Sequence, residues 1–299
     1  MSEQWTAVRR QIYPTLDRQY PVQDEAAADQ VADVGLLIGL IYDNVTVETP
    51  ILKDAEIERD IKLRTTHHIV GRIVRLGVFL AKRNQDVGEF ENEYRRQLEN
   101  LLDVDAALFE RIFRLGRRVS EFIAKKKGKV SKGNRTRVLK MARMHLHNCR
   151  FCGASLRRDD AADNALEIEH LIAQSFGGSS HRSNITVACN RCNKIKEDRL
   201  SFVDIYHEHF CVVSDKKENV SQKLGPHIVF ALLMKQNGKC FHCDRYFYAI
   251  TPEKIVLTRR EEDDYYHFRN CYVACEPCAE RVGIDGIKID VPLSASPRN

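Results

Sequence analysis

No cysteine occurs in the first 148 residues, and no apolar run comes near the roughly 20 residues needed to cross a bilayer. The longest candidate is "VGLLIGLIY". The opening "MSEQWTAVRRQ" lacks the apolar stretch of a secretion signal. These absences lead us to expect a cytoplasmic protein with no membrane partner. Residues 1–123 also lack a phosphate-binding glycine loop, a Ser/His/Asp set and a paired-carboxylate motif. By sequence, that region docks, dimerises or senses; nothing in it selects among the three.

The 299 residues, 43% hydrophobic and 30% charged, form a soluble globular composition long enough for two or three domains. Positive charge is concentrated in the middle of the chain. Residues 1–123 hold 17 Lys/Arg against 21 Asp/Glu, residues 124–212 hold 17 against 9, and residues 213–299 hold 13 against 12. The excess just before and within the cysteine-containing half is the electrostatic footprint of a polyanion-binding segment. Lys125, Lys126, Lys127, Lys129, Lys132, Arg135, Arg137, Lys194 and Lys196 are the expected phosphate contacts. The alternative is that "KKKGKVSKGNRTR" is only a solvated linker.

Apolar residues at helical spacing (Ile57, Ile61, Ile69, Ile73, Leu76, Leu80) predict a bundle of four or five helices over residues 1–123. Asp24 is a candidate N-cap, and breaks are expected near Asp103 and Gly128. Residues 124–144 read as a basic linker or arm. His67 and His68 belong to no ligand motif and read as ordinary core or surface histidines.

All ten cysteines lie after residue 148, and eight form Cys-x-x-Cys pairs: Cys149/Cys152, Cys189/Cys192, Cys240/Cys243 and Cys275/Cys278. A chain of this size in a reducing compartment is not expected to use disulfides. Two pairs supply the four thiolates of a tetrahedral zinc site, so two structural zinc ions are expected. Cys211 and Cys271 read as small buried hydrophobes. "IYHEHFCVV" alternates like a strand. His207, His209 and Cys211 on it lack a fourth ligand, so a metal site there is not expected.

The remainder of the chain repeats the first cysteine module. "NCYVACEPC" answers "NITVACNRC", 86 residues on. Aligned from Asn184 and Asn270, Glu169 falls on Ile255, His170 on Val256 and Asn193 on Ala279. The zinc ligands survive in the second copy and the reactive set does not. The first copy offers a histidine able to take a proton from water, and a carboxylate and an amide suited to Mg²⁺ or Mn²⁺. Base plus hard ion is the minimum set for phosphodiester hydrolysis.

The stretch 145–202, with CxxC, acid-His, Gly-Gly, Asn-hydrophobic, CxxCN and Lys in order, resembles the HNH (ββα-metal) endonuclease family. The resemblance implies an α+β fold: a zinc-stapled ββα nuclease module at 145–212, a degenerate second ββα zinc module at 213–299, and the helical domain before them. It implies that His170 is the general base, that Asn184 holds the loop, and that Asn193 and Glu169 hold the catalytic ion. Glu169 stands where the family usually has Asp. DNA is the implied substrate, with RNA open to the same chemistry, and a restriction or anti-phage role is the implied setting by analogy. A non-catalytic zinc-ribbon adaptor is the competing reading. Protein contacts or self-association are expected through the helical domain or the second zinc module, which reads as a scaffold the first module does not need for activity.

Overall fold

The computed structural model describes residues 25–47, 55–84, 86–125, 132–144, 147–157, 164–178, 180, 184–209, 216–221, 224–250 and 254–290. Asp24, Lys126, Lys127, Gly128, Lys129 and Cys211, singled out above, lie outside them. Among the described residues, no helix is long and apolar enough to cross a membrane. The chain divides into two compact units. One contains residues 1–131 with 170–184; the other contains 132–169 with 185–299.

Among the described residues, the first unit has four α-helices: α1 (Glu25–Asn44), α2 (Ala55–Arg83), α3 (Val87–Glu99) and α4 (Ala106–Lys125). The expected break near Asp103 is real. Asp105 accepts the Leu108 amide at 2.9 Å and starts α4, as Asp86 accepts the Glu89 amide at 3.0 Å and starts α3. Small residues let the helices approach closely. A Cβ on Gly77 would stand 2.1 Å from the Ser120 hydroxyl, and one on Gly116 would stand 2.4 Å from the Tyr94 hydroxyl. Tyr94 is fully buried, donates to the Ile73 carbonyl at 3.2 Å, and stacks on Phe90 at 5.6 Å. Burial pushes its phenol pKa upward. His67 is buried in this core and His68 is exposed. Against this bundle, within the same unit, packs a short 3₁₀ turn, Gln174–Phe176.

The second unit holds both cysteine modules. It begins with α5 (Lys132–Met144), so the latter part of the expected linker is a helix. Val138 and Ala142 are buried, and α5 packs on β2 (Ile185–Cys189). Lys132, Arg135, Lys140 and Arg143 are exposed. β2 pairs with β1 (Leu166–His170) and leads into α6 (Asn190–Lys196). Then come α7 (Phe202–His209), α8 (Lys217–Ser221), α9 (Pro226–Lys235), α10 (Phe247–Ile250), β3 (Lys254–Arg259), β4 (Cys271–Cys275), α11 (Glu276–Val282) and β5 (Ile287–Asp290). The last three strands form an antiparallel sheet in the order β4-β3-β5.

The strand expected over 205–213 is overturned over its described part, because Ile205 to His209 are helical in α7; residues 210–213 lie outside the described residues. "SFVD" has the spacing of a capping box, and its acidic half is made. The Asp204 carboxylate accepts the Ser201 and Leu200 amides, each at 3.0 Å, and launches the helix.

The repeat extends to the backbone. β4–α11 follows β2–α6 element for element, five residues and then seven. The Arg150 amide donates to Val187 O at 3.1 Å, and the Phe241 amide donates to Val273 O at 3.1 Å. Asn270 clamps its loop by accepting the Arg260 and Glu261 amides at 3.0 and 2.8 Å.

The two modules share one core, so the packing does not divide at residue 212. Phe151 meets Phe230 of α9 edge-on at 5.2 Å, and Asn148 donates to Tyr248 O at 2.8 Å. The Arg150 guanidinium lies 4.4 Å from the Tyr246 ring. Gly153 (φ 78°) has Phe247 O within 2.4 Å of where a Cβ would stand, and Gly238 (φ 66°) has Arg150 O within 3.0 Å. α9 is buried from Ile228 to Leu233 between the modules' cysteine-bearing segments.

This shared core bears on the expectation that the first module can act without the second. A chain cut after residue 212 loses Phe230, Phe247 and Tyr248 from around the first knuckle. Removing one large core side chain costs about 3–5 kcal/mol, against a whole-domain stability of about 5–15 kcal/mol. The truncated chain is expected not to give a sharp thermal melt or a full zinc complement. A cooperative, zinc-loaded fragment would show that the first module stands alone.

Candidate functional site

Two groups of side chains are ready for metal. Cys149, Cys152, Cys189 and Cys192 are buried with their sulfurs within 4.8 Å of one another, and Cys240, Cys243, Cys275 and Cys278 form a second such group. A tetrahedral zinc with Zn–S bonds of about 2.3 Å places its sulfurs about 3.8 Å apart. Cys152 Sγ and Cys189 Sγ stand 3.9 Å apart. Cys189 caps α6 and accepts the Cys192 amide at 3.3 Å, while Cys240 accepts the Cys275 amide at 3.3 Å. Such N–H···S contacts orient thiolate ligands. Burial opposes ionisation of Cys149, but hydrogen bonds from Cys152, Cys189 and Cys192 outweigh it and hold its pKa well below the usual thiol value. Burial and that neighbouring charge push the Cys152 thiol well up. Four ionised sulfurs so close require a cation, and the donor set fits zinc. Cys271 belongs to neither group, and burial pushes its thiol up to about 12, as suits an inert core residue.

Of the expected reactive set, Glu169 lies at the end of β1 with its side chain 6% exposed, and its Oε1 is 2.7 Å from the Lys196 ammonium, itself 2% exposed. Burial raises the Glu169 pKa, and the attraction of Lys196 opposes that rise. Lys196 is thus a buried internal partner of Glu169, which corrects its reading as a phosphate contact. Asn193 lies three residues before Lys196 on α6, so both are on one face of the helix. The ion pair therefore fastens the face carrying Asn193 to the strand end carrying Glu169. As folded, this pair does not fit an ion held by Glu169, since one carboxylate oxygen and its charge are already engaged. Among the described residues, no third group of three or more converging Cys, His, Asp or Glu ligands occurs.

The residues just after β1 belong to the first unit. His170 Nε2 is 2.9 Å from the Gln174 amide nitrogen and 3.1 Å from Ser180 Oγ, and the same amide donates to Ser180 Oγ at 3.0 Å. An amide nitrogen can only donate, so Nε2 carries its lone pair in this arrangement. Asn184 is fully buried and grips Ile172 twice: it accepts the Ile172 amide at 2.8 Å and donates to its carbonyl at 2.9 Å. A Cβ on Gly178 would stand 1.8 Å from Ile172 O, so only glycine fits there. The sequence reading passed over Gln174 and Ser180. Polar residues in a glycine- and serine-rich loop carry no periodic signal. Only the i, i+4 spacing of Gln174 from His170 hinted at contact.

Among the expected phosphate contacts, Lys132, Arg135 and Lys194 are exposed, and Lys125 is exposed beside Glu121 at 3.3 Å. The Arg137 and His207 side chains lie outside the described set.

A family model described as HNH endonuclease matches residues 149–202. The stretch it matches contains Glu169, His170, Asn184, Asn193 and the first cysteine quartet. A nuclease of the HNH kind is the class this similarity supports, and a nucleic acid is the substrate class it implies. No curated protein and no solved structure is similar to the chain at a significant level.

Two measurements test this site. Elemental analysis of the purified chain should find two zinc ions, and Cys240→Ser should lower the content towards one while reducing stability, because structural zinc contributes about 10–16 kcal/mol to small domains. Wild-type content of one zinc would remove the second site. Lys196→Met leaves a buried carboxylate unpaired and should cost about 3–5 kcal/mol in denaturant melts. Adding Glu169→Leu should restore most of that loss, since apolar replacement of a whole buried pair is often neutral or better. A single-site effect below about 1 kcal/mol would mean that the pair is open to water.

Proposed function

We propose that the chain is an endonuclease that hydrolyses phosphodiester bonds in DNA with His170 as general base. The observation that carries this reading is the joint presence, in the segment matched by the HNH endonuclease model, of a histidine held by Gln174 and Ser180, the Asn184 clamp, and a cysteine quartet at the start of α6. The lone-pair nitrogen of the neutral ring takes a proton from water. The water oxygen forms a bond to phosphorus as the P–O bond to the leaving oxygen breaks, and solvent supplies the proton that oxygen requires. The water must reach the ring nitrogen, so the Gln174–Ser180 contact opens or turns when substrate arrives.

The activity is proposed to depend on Mg²⁺ or Mn²⁺, which neutralises the scissile phosphate and the leaving oxygen when bound. Asn193 offers it an amide oxygen. Glu169 becomes a ligand only by exchanging its contact with Lys196. The exposed cations of α5 (Lys132, Arg135, Lys140 and Arg143) and Lys194 supply the polyanion surface. A restriction or anti-phage setting, a cytoplasmic location, and self-association or partner binding through the helical unit or the second zinc module belong to this proposal. They rest on the resemblance and the composition.

The test is cleavage of supercoiled plasmid by the full chain with Mg²⁺ or Mn²⁺, run beside total RNA. His170→Ala should lower the rate by about 10²–10⁴ with zinc content and melting unchanged. Plasmid cleavage that persists undiminished in His170→Ala would remove this residue as the base. Selective loss of RNA would move the substrate from DNA to RNA.

A further inference from the structure

The helical unit carries no reactive motif, yet it holds the turn that touches His170. Gln174, which contacts His170 Nε2, and Phe176, two residues on, belong to the same 3₁₀ turn. Phe176 is buried against α2: its ring carbons lie 3.5 Å from where a Cβ on Gly71 would stand, and the Arg75 guanidinium lies 5.8 Å from the ring centre. Gly71 and Arg75 are four residues apart, hence on one face of α2. The next residue, Gly177 (φ 87°), faces α4. A Cβ there would stand 2.9 Å from Val119 Cγ1 and 3.7 Å from Ile123 Cδ1, again a pair four residues apart. Two helices thus grip one end of a three-residue turn whose other end holds the imidazole. On its far side the same loop is fixed by Asn184 to Ile172.

A turn this short has little slack. It is hydrogen-bonded from Phe176 N to Ala173 O at 3.0 Å and from Gly177 N to Gln174 O at 3.1 Å. A shift of α2 against α4 at Phe176 therefore moves Gln174. We infer that Gln174 is a positioning residue for His170, and that the helical unit sets its position through Phe176 seated on Gly71 and Gly177 seated on Val119. The helical unit then controls the nuclease by geometry, without contributing a catalytic group. This inference rests on the nuclease reading.

The experiment compares Gln174→Ala, Phe176→Ala, Gly71→Leu and Gly71→Ala with the wild-type full chain. Zinc content and helical circular dichroism come first. Plasmid cleavage is then resolved into kcat and KM. The ¹⁵N signals of the His170 ring, assigned with His170→Ala, are recorded at one fixed pH as a record of tautomer and orientation. Misplacing a reacting group by about 1 Å can cost about 10² in rate. Gln174→Ala, Phe176→Ala and Gly71→Leu should each lower kcat by about that factor with KM little changed and zinc retained, and each should shift the His170 signals. Gly71→Ala adds a Cβ at an ordinary contact distance and should resemble the wild type in both readouts.

Leucine suits a helix interior better than glycine, so lost activity in Gly71→Leu with helicity retained reports the turn and not the bundle. Wild-type kcat and unmoved ring signals in Gly71→Leu and Phe176→Ala would overturn the inference. If the wild-type chain cleaves nothing, the nuclease reading fails by itself, and the ring signals still decide whether α2 reaches His170.

Discussion

Four buried sulfurs drawn from two places in the chain govern the second unit. Cys149 and Cys152 sit on a knuckle, and Cys189 and Cys192 span the end of β2 and the first turn of α6. The group fits zinc, which when bound would tie the knuckle to the first turn of α6. The position of α6 in turn decides which side chains its inner face presents: Asn193, and Lys196 bound to Glu169. The second quartet is set around α11 in the same way, but Ile255 and Val282 stand at the positions aligned with Glu169 and Lys196, so no such ion pair can form there.

The cysteine quartets, the ββα order and the helical bundle were legible in the sequence because their signals are local and periodic. Cys-x-x-Cys spacing reflects the reach of one turn, and the apolar rows of α2 repeat at helical spacing. Contacts between distant residues were not legible. Lys196 follows Lys194 in a stretch that looks uniformly basic, and only the fold shows that one faces water and the other a buried carboxylate. "IYHEHF" alternates over too few residues to separate a strand from a helix. The Ser-x-x-Asp spacing one turn earlier, from Ser201 to Asp204, was the better guide, and its acidic half forms. The Asn184 clamp was named from the resemblance, and its two bonds to Ile172 give that role a physical form.

Gln174 lay beyond any pattern. Its importance arises from one 3₁₀ turn with a histidine at one end and Phe176 packed on a helix glycine at the other. Gly71 likewise reads in sequence as a minor defect in a long helix. In the fold it is the flat spot on α2 on which an aromatic ring rests.

The reciprocal approach of Gly153 to Phe247 and of Gly238 to Arg150 bears on how such a chain can be taken apart or rebuilt. Each knuckle leans its backbone on the other's module, at Gly153 closely enough to exclude a side chain and at Gly238 closely enough to leave little room for one. The matched segment is therefore not a cassette. Grafting residues 149–202 onto a foreign scaffold would leave Gly153 and Phe151 facing solvent. A chimera that keeps this nuclease segment has to carry α9, the second knuckle and α10 with it. The two cysteine modules thus form one packed piece, open to change on its outer face but not where the modules meet.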